Sequence, residues 1–152
     1  MREIKTETYI HASPEEVWKI LMKFDEYSEW NPFIRRIEGD AEAGARMQVA
    51  IEPSGSRPIT LHPRVLKSEP GRELRWLGHL WRPGLFDGEH VFCIEPLGTG
   101  RVRFVHRERF TGLLVPLLFP MVERTTRRGF EAMNGALKAR VEAVSESLRW
   151  AA

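Results

Sequence analysis

The sequence predicts an α+β fold: a curved antiparallel sheet of seven strands around a long C-terminal helix, with two short helices after the first strand. Three observations predict it. Between residues 34 and 110, short runs rich in alternating apolar and polar residues are separated by Gly, Pro and Asp breakers, as in antiparallel strands joined by tight connections. From Val122 to Leu148 the apolar residues recur every three or four positions, the period of one buried helix face. Ser13-Pro14-Glu15-Glu16, ahead of the strand-rich stretch, carries the start signal of a helix.

Residues 2–10 alternate, with Ile4, Thr6, Thr8 and Ile10 on one side and Lys5, Glu7 and Tyr9 on the other, so the first element is a strand. Ser13 then serves as N-cap, Pro14 as first helical residue and Glu16 as the closing member of a capping box. Val17, Ile20, Leu21 and Phe24 follow at helical spacing. A second short helix covers Asp25 to Trp30 and stops at Asn31-Pro32, because a residue before proline is driven out of the helical region. The remaining strands are expected at 34–39, 45–52, 58–68, 72–80, 86–95 and 101–110. Their breakers are Gly39-Asp40 with Gly44, Pro53-Ser54-Gly55, Pro70-Gly71, Pro83-Gly84, and Pro96 through Gly100. Trp81 to Leu85 reads as an irregular connection and a candidate mobile loop. Leu113 to Met121, with Pro116 and Pro120, reads as a hydrophobic turn packed on the sheet, with a gate or a membrane contact as rival readings. A helix over 121–148 is about 42 Å long, against a radius of gyration of about 15 Å for a compact chain of this length. It must therefore cross the whole sheet. A curled sheet with one helix across its mouth encloses more space than that helix face can fill, which predicts an internal cavity.

At 152 residues the chain is expected to form one ligand-binding domain, 1–152. A net charge of +2, without aromatic residues interleaved among basic ones, argues against nucleic acid as a partner. Cys93, the single cysteine, excludes an internal disulfide and, between Phe92 and Ile94, reads as a packed thiol. The apolar run Leu113 to Met121 is too short to span a bilayer, and MREIKTETYI lacks the apolar core of a signal peptide. A cytoplasmic protein is expected, monomeric or weakly dimeric, with no stable membrane insertion. Walker, GxGxxG and CxxC motifs are missing, so no cofactor is expected. The five histidines (11, 62, 79, 90 and 106) have no ligand spacing such as HxxxH, so no metal is expected either.

The order of elements and several motifs resemble the START / birch-pollen-allergen-like superfamily (SRPBCC, the helix-grip fold), in its bacterial polyketide cyclase/dehydrase-like branch. The residues carrying the resemblance are Ser13-Pro14-Glu15-Glu16-Val17-Trp18, Trp30-Asn31-Pro32-Phe33, Glu73-Leu74-Arg75-Trp76 and Gly88-Glu89-His90-Val91-Phe92. His106-Arg107-Glu108-Arg109-Phe110-Thr111-Gly112 and Arg128-Gly129-Phe130-Glu131-Ala132-Met133-Asn134, with Leu137-Lys138, complete it. The resemblance implies a deep apolar cavity between sheet and C-terminal helix that binds lipids, sterols, hormones or polyketides. It implies no catalytic set, because only some members are cyclases or aromatases.

The stretch Arg101 to Phe110 is the most informative part of the chain. Val102, Phe104, His106, Glu108 and Phe110 share one strand face, and Arg101, Arg103, Arg107 and Arg109 share the other, with Val105 the exception. Burying His106 and Glu108 without partners would cost roughly several kcal/mol, so they are expected to meet each other, water or a bound molecule. By the same registers, Leu74, Trp76 and Gly78, then His90, Phe92 and Ile94, face inward on the two preceding strands. Trp30, Pro32 and Phe33 are expected to close one end, and Phe130, Met133 and Asn134 to reach in from the helix. Trp76, Phe92, Phe104, Phe110, Phe130 and Met133 would form apolar wall, and His90, His106 and Glu108 would orient the polar end of a ligand. For those three groups, ligand contact, mutual satisfaction and catalysis all stay open. The leading reading is a binder of a hydrophobic small molecule, lipid-like or polyaromatic. The alternatives are a polyketide cyclase/dehydratase with His106 and Glu108 as base and acid, and a protein-interaction module.

Overall fold

A computed structural model describes residues 1–53 and 57–151 of the chain. Strand β1 (Arg2–Ile10) leads into helix α1 (Pro14–Met22). Ser13 Oγ accepts from the Glu16 backbone N–H, and Glu16 Oε1 accepts from the Ser13 N–H at 2.9 Å, so the capping box closes in both directions. A 3-10 turn (Phe24–Glu26) and the one-turn helix α2 (Tyr27–Trp30) follow, ended by Asn31 in extended backbone ahead of Pro32.

The expected single sheet of seven strands is realised as eight strands in two sheets among the described residues. Strands β2 (Ile34–Glu38), β3 (Gln48–Ile51) and β4 (Ile59–Leu61) make a three-stranded sheet, all antiparallel. Strands β5 (Arg64–Glu69), β6 (Glu73–Leu80), β7 (Phe86–Pro96) and β8 (Val102–Thr111) join β1 in the order β1-β8-β7-β6-β5. The expected strand 58–68 is cut at His62-Pro63, where proline has no N–H for the ladder. Backbone bonds from Gly44 N to Val65 O, Val65 N to Ala45 O and Met47 N to Pro63 O stitch the two sheets together beside the cut. Of the expected breaker Pro53-Ser54-Gly55, Ser54 and Gly55 lie outside the described residues.

Helix α3 (Val115–Ala151) begins six residues earlier than the periodicity predicts. The hydrophobic turn expected over 113–121 shrinks to Gly112–Leu114, because Pro116 falls in the first helical turn, where its missing N–H costs nothing. Pro120 is accommodated inside the helix. Gly112 is required at the corner: its φ is +128°, and a Cβ there would lie 2.4 Å from Leu85 O. Leu113 N–H and Leu114 N–H donate to Gly84 O and Leu85 O, tying the 81–85 connection to the start of α3. The helix spans about 55 Å at 1.5 Å per residue and lies chiefly along β1. Phe119, Phe130, Met133, Leu137 and Val141 are buried, whereas Val144 and Leu148, read as the end of the same stripe, are exposed. Among the described residues no helix is long and apolar enough to cross a membrane.

Candidate functional site

Strand registers assemble the site. Trp76 pairs with His90 and His90 with Glu108 across β6, β7 and β8, and Ile4 on β1 completes that row. The next row is Leu74, Phe92, His106 and Thr6. His90 and His106 are therefore diagonal neighbours on adjacent strands, close enough for long side chains to meet. His106 Nε2 lies 2.8 Å from His90 Nε2, and His106 Nδ1 lies 3.0 Å from Asn134 Oδ1 on α3. Asn134 Nδ2 donates to Thr6 Oγ1 at 2.9 Å, and Thr6 Oγ1 donates to the His106 carbonyl at 2.9 Å.

The direction of every proton in this chain follows from that last contact. A carbonyl oxygen only accepts, so the Thr6 hydroxyl spends its one proton on His106 O and must accept from Asn134 Nδ2. The Asn134 amide oxygen is thereby turned to His106 Nδ1, which must carry a proton. Burial, first, and the neighbouring His90, second, hold the His106 pKa well below 6.5 against the raising pull of Asn134. His106 is thus neutral with an unprotonated Nε2, and His90 Nε2 donates to it. The chain is polarised from the β1 edge towards the far side of His90.

Beyond His90 stands Glu108, with Oε1 3.7 Å from His90 Nδ1. The mutual His106–Glu108 contact admitted by their common strand face is not the one formed; His90 stands between them. Gly88 makes room for the carboxylate, since a Cβ at that position would meet Glu108 Oε1 at 2.6 Å. Arg107 and Arg109, the sequence neighbours of Glu108, point to the opposite face and are both engaged by Glu3.

His90 and Glu108 open onto a cavity of about 140 Å³ between β6–β8, the β3–β4 edge and the first half of α3. Of the predicted ligand-binding residues, Phe33, Trp76, His90, Glu108 and Phe110 are on its wall. Phe92, Phe104, His106, Phe130, Met133 and Asn134 are buried behind it, and Trp30 packs edge-on against Tyr27. The reason is a stack: the Phe130 ring lies on His106 with centroids 3.9 Å apart and planes at 14°, filling the space expected to be hollow. Sequence reasoning missed Ile51, Ile59, Leu61, Phe86, Val122 and Thr126 as wall residues. The facing pair Gly78 and Gly88 signalled the place, since an interior strand glycine marks a close approach or a space kept open. Cys93 is half-buried and lies off the cavity wall; burial first, then Glu95 and Glu73, push its thiol pKa up, which disfavours the reactive thiolate. No group of three or more potential metal ligands occurs among the described residues.

The neutral His106 has a consequence for stability. In the unfolded chain it takes up a proton as pH falls through about 6.5, whereas in the fold it stays neutral to much lower pH. Below that point the unfolded state binds the extra proton, so stability is complete above it and declines as pH falls towards the folded pKa. The slope from one such group is about 1.4 kcal/mol per pH unit. Urea denaturation of wild type and His106→Leu between about pH 7.5 and 5 is expected to show the variant losing that slope. Parallel curves would mean that His106 titrates in the fold.

The family model described as polyketide cyclase / dehydrase and lipid transport matches residues 1–142. Among solved structures, a START superfamily protein from Mycobacterium smegmatis is 22% identical with a TM-score of 0.73, covering 93% of this chain and 98% of that one. The Zhui aromatase/cyclase from Streptomyces sp. R1128 is 17% identical with a TM-score of 0.75, covering 93% of each chain. A protein from Thermus thermophilus is 20% identical with a TM-score of 0.73, covering 95% of this chain and 99% of its own. These likenesses establish the helix-grip fold. No curated protein matches the chain.

Proposed function

The chain belongs to the polyketide cyclase / dehydrase and lipid transport family, and on that premise we propose that residues 1–152 act as one domain binding a hydrophobic single-ring molecule in the cavity. The observation that carries this reading is the cavity itself: about 140 Å³, walled by Phe33, Trp76, Phe86 and Phe110, with His90 and Glu108 as its polar end. A protein cavity of about 150 Å³ lined by apolar side chains holds benzene, so one ring is the natural occupant. The cavity is open on one side, so the lipid-like or polyaromatic ligand expected from sequence would extend past its mouth. Mass spectrometry of gently purified protein, followed by calorimetric titration with toluene and benzyl alcohol, tests the reading. Saturable binding at one site is expected, adding about 2.7 kcal/mol to stability at a hundredfold excess over Kd. Thr126→Trp, which fills the cavity from α3, is expected to abolish it. Failure of both compounds to bind, or binding indifferent to Thr126→Trp, would refute the reading.

The enzymatic alternative is favoured by one feature, the imidazole–carboxylate pair on the cavity wall. In that reading a polyketide-like substrate gives up or takes a proton at His90 or Glu108. His106, assigned as base from the sequence, is 0% exposed and can act only through His90.

A further inference from the structure

We infer that the cavity is built for a protonated primary amine on a single aromatic ring, its ammonium group set against His90 Nδ1 and Glu108 Oε1; this rests on the binding reading above. The hydrogen-bond chain from Thr6 through Asn134 and His106 commits the Nε2 proton of His90 to His106. The nitrogen left for the cavity is Nδ1. Its neighbour Glu108 Oε1 is 3.7 Å away, outside hydrogen-bond distance, so neither group satisfies the other.

Glu108 is 17% exposed in its side chain, and among the described residues its only ion partner is this distant histidine. The two arginines that flank it in sequence are held by Glu3 on the other sheet face. The polar end of the cavity therefore carries a carboxylate without a hydrogen-bonded partner, and no Lys or Arg is among the described wall residues. A hydroxyl brings one donor and no charge. An ammonium brings three donors and the missing charge, and one nitrogen can give a separate N–H to each acceptor. Trp76 and Phe110 are also on the wall, and an aromatic ring attracts a cation set over its face. The volume, about 140 Å³, matches one ring and a short linker.

Toluene, benzyl alcohol and benzylamine have almost the same shape and differ in donors and charge. Calorimetric titration of the wild-type protein with each, at about pH 8 where free histidine is neutral and benzylamine cationic, tests the inference without any mutation. Benzylamine is expected to bind at least about tenfold tighter than benzyl alcohol, and toluene weakest of the three. Glu108→Gln is expected to reduce benzylamine affinity at least about tenfold while leaving toluene within about threefold. Benzyl alcohol binding as tightly as benzylamine, or Glu108→Gln weakening all three alike, would overturn the amine inference and leave the cavity a neutral-ring site. If none of the three binds, the parent reading falls with it.

Discussion

His106→Ala is expected to destabilise the protein by about 3–5 kcal/mol, the range for emptying a large buried site. Three losses combine. The ring is 0% exposed and stacks on Phe130 at 3.9 Å, so its removal leaves a void that the strand pairing on both sides cannot close. The Asn134 carbonyl and the His90 Nε2–H each lose a buried partner, at about 1–3 kcal/mol for a group left unsatisfied. His90 is freed to swing, so the polarity at Glu108 is lost along with the stability. Chemical denaturation at about pH 7.5 measures the effect. The companion change Thr6→Val, which leaves the ring in place and removes the acceptor for Asn134 Nδ2 and the donor to His106 O, is expected to cost about 1–2 kcal/mol. A His106→Ala loss no larger than that of Thr6→Val would mean that the ring contributes only its hydrogen bond and the packing around it is loose.

The same residue marks how much of the site can be read from sequence. Strand alternation identified His106 and Glu108 as inward, and both are on the inner face, His106 buried and Glu108 at the cavity. Alternation within one strand cannot say which partner a side chain meets, because that depends on the register between strands. Here the register places His90 opposite Glu108 and diagonal to His106, so the histidine of the neighbouring strand takes the contact expected of the carboxylate. Helical periodicity turns Asn134 inward, but which strand residues it meets, His106 and Thr6, depends on a helix crossing that no local pattern encodes. The cavity lies between sheet and helix as expected, with part of the expected wall packed shut, for a related reason. Periodicity shows that Phe130 and Met133 point towards the sheet, but not that the Phe130 ring reaches far enough to lie on His106 and close the centre. What remains open lies nearer the start of α3, where the small or short residues Gly78, Gly88 and Thr126 face one another's elements. The division of the expected sheet follows from Pro63, which interrupts an otherwise strand-like run.

Gly129→Ala reveals whether α3 and the cavity wall are as tightly fitted as that picture requires. In an ordinary helix the change would add about 1 kcal/mol of stability, from helix propensity alone. Gly129 is not in an ordinary place: a Cβ there would lie 2.2 Å from Phe33 Cδ1 and 2.4 Å from Cε1. The ring must retreat by more than 1 Å to restore a normal contact of about 3.5 Å. Phe33 is 3% exposed and set edge-on against Phe130, with centroids 5.6 Å apart, so its free direction is into the cavity it lines. Overpacking of this kind costs about 1–3 kcal/mol, and the displaced edge-to-face contact with Phe130 adds about 0.5–1.5 kcal/mol. These terms outweigh the propensity gain. The expected result is a net loss of about 2 kcal/mol and a melting temperature lower by about 4–8 °C, with toluene affinity reduced at least about tenfold. A higher melting temperature with unchanged toluene binding would mean that Phe33 swings aside freely. The wall would then be soft enough to admit molecules larger than one ring.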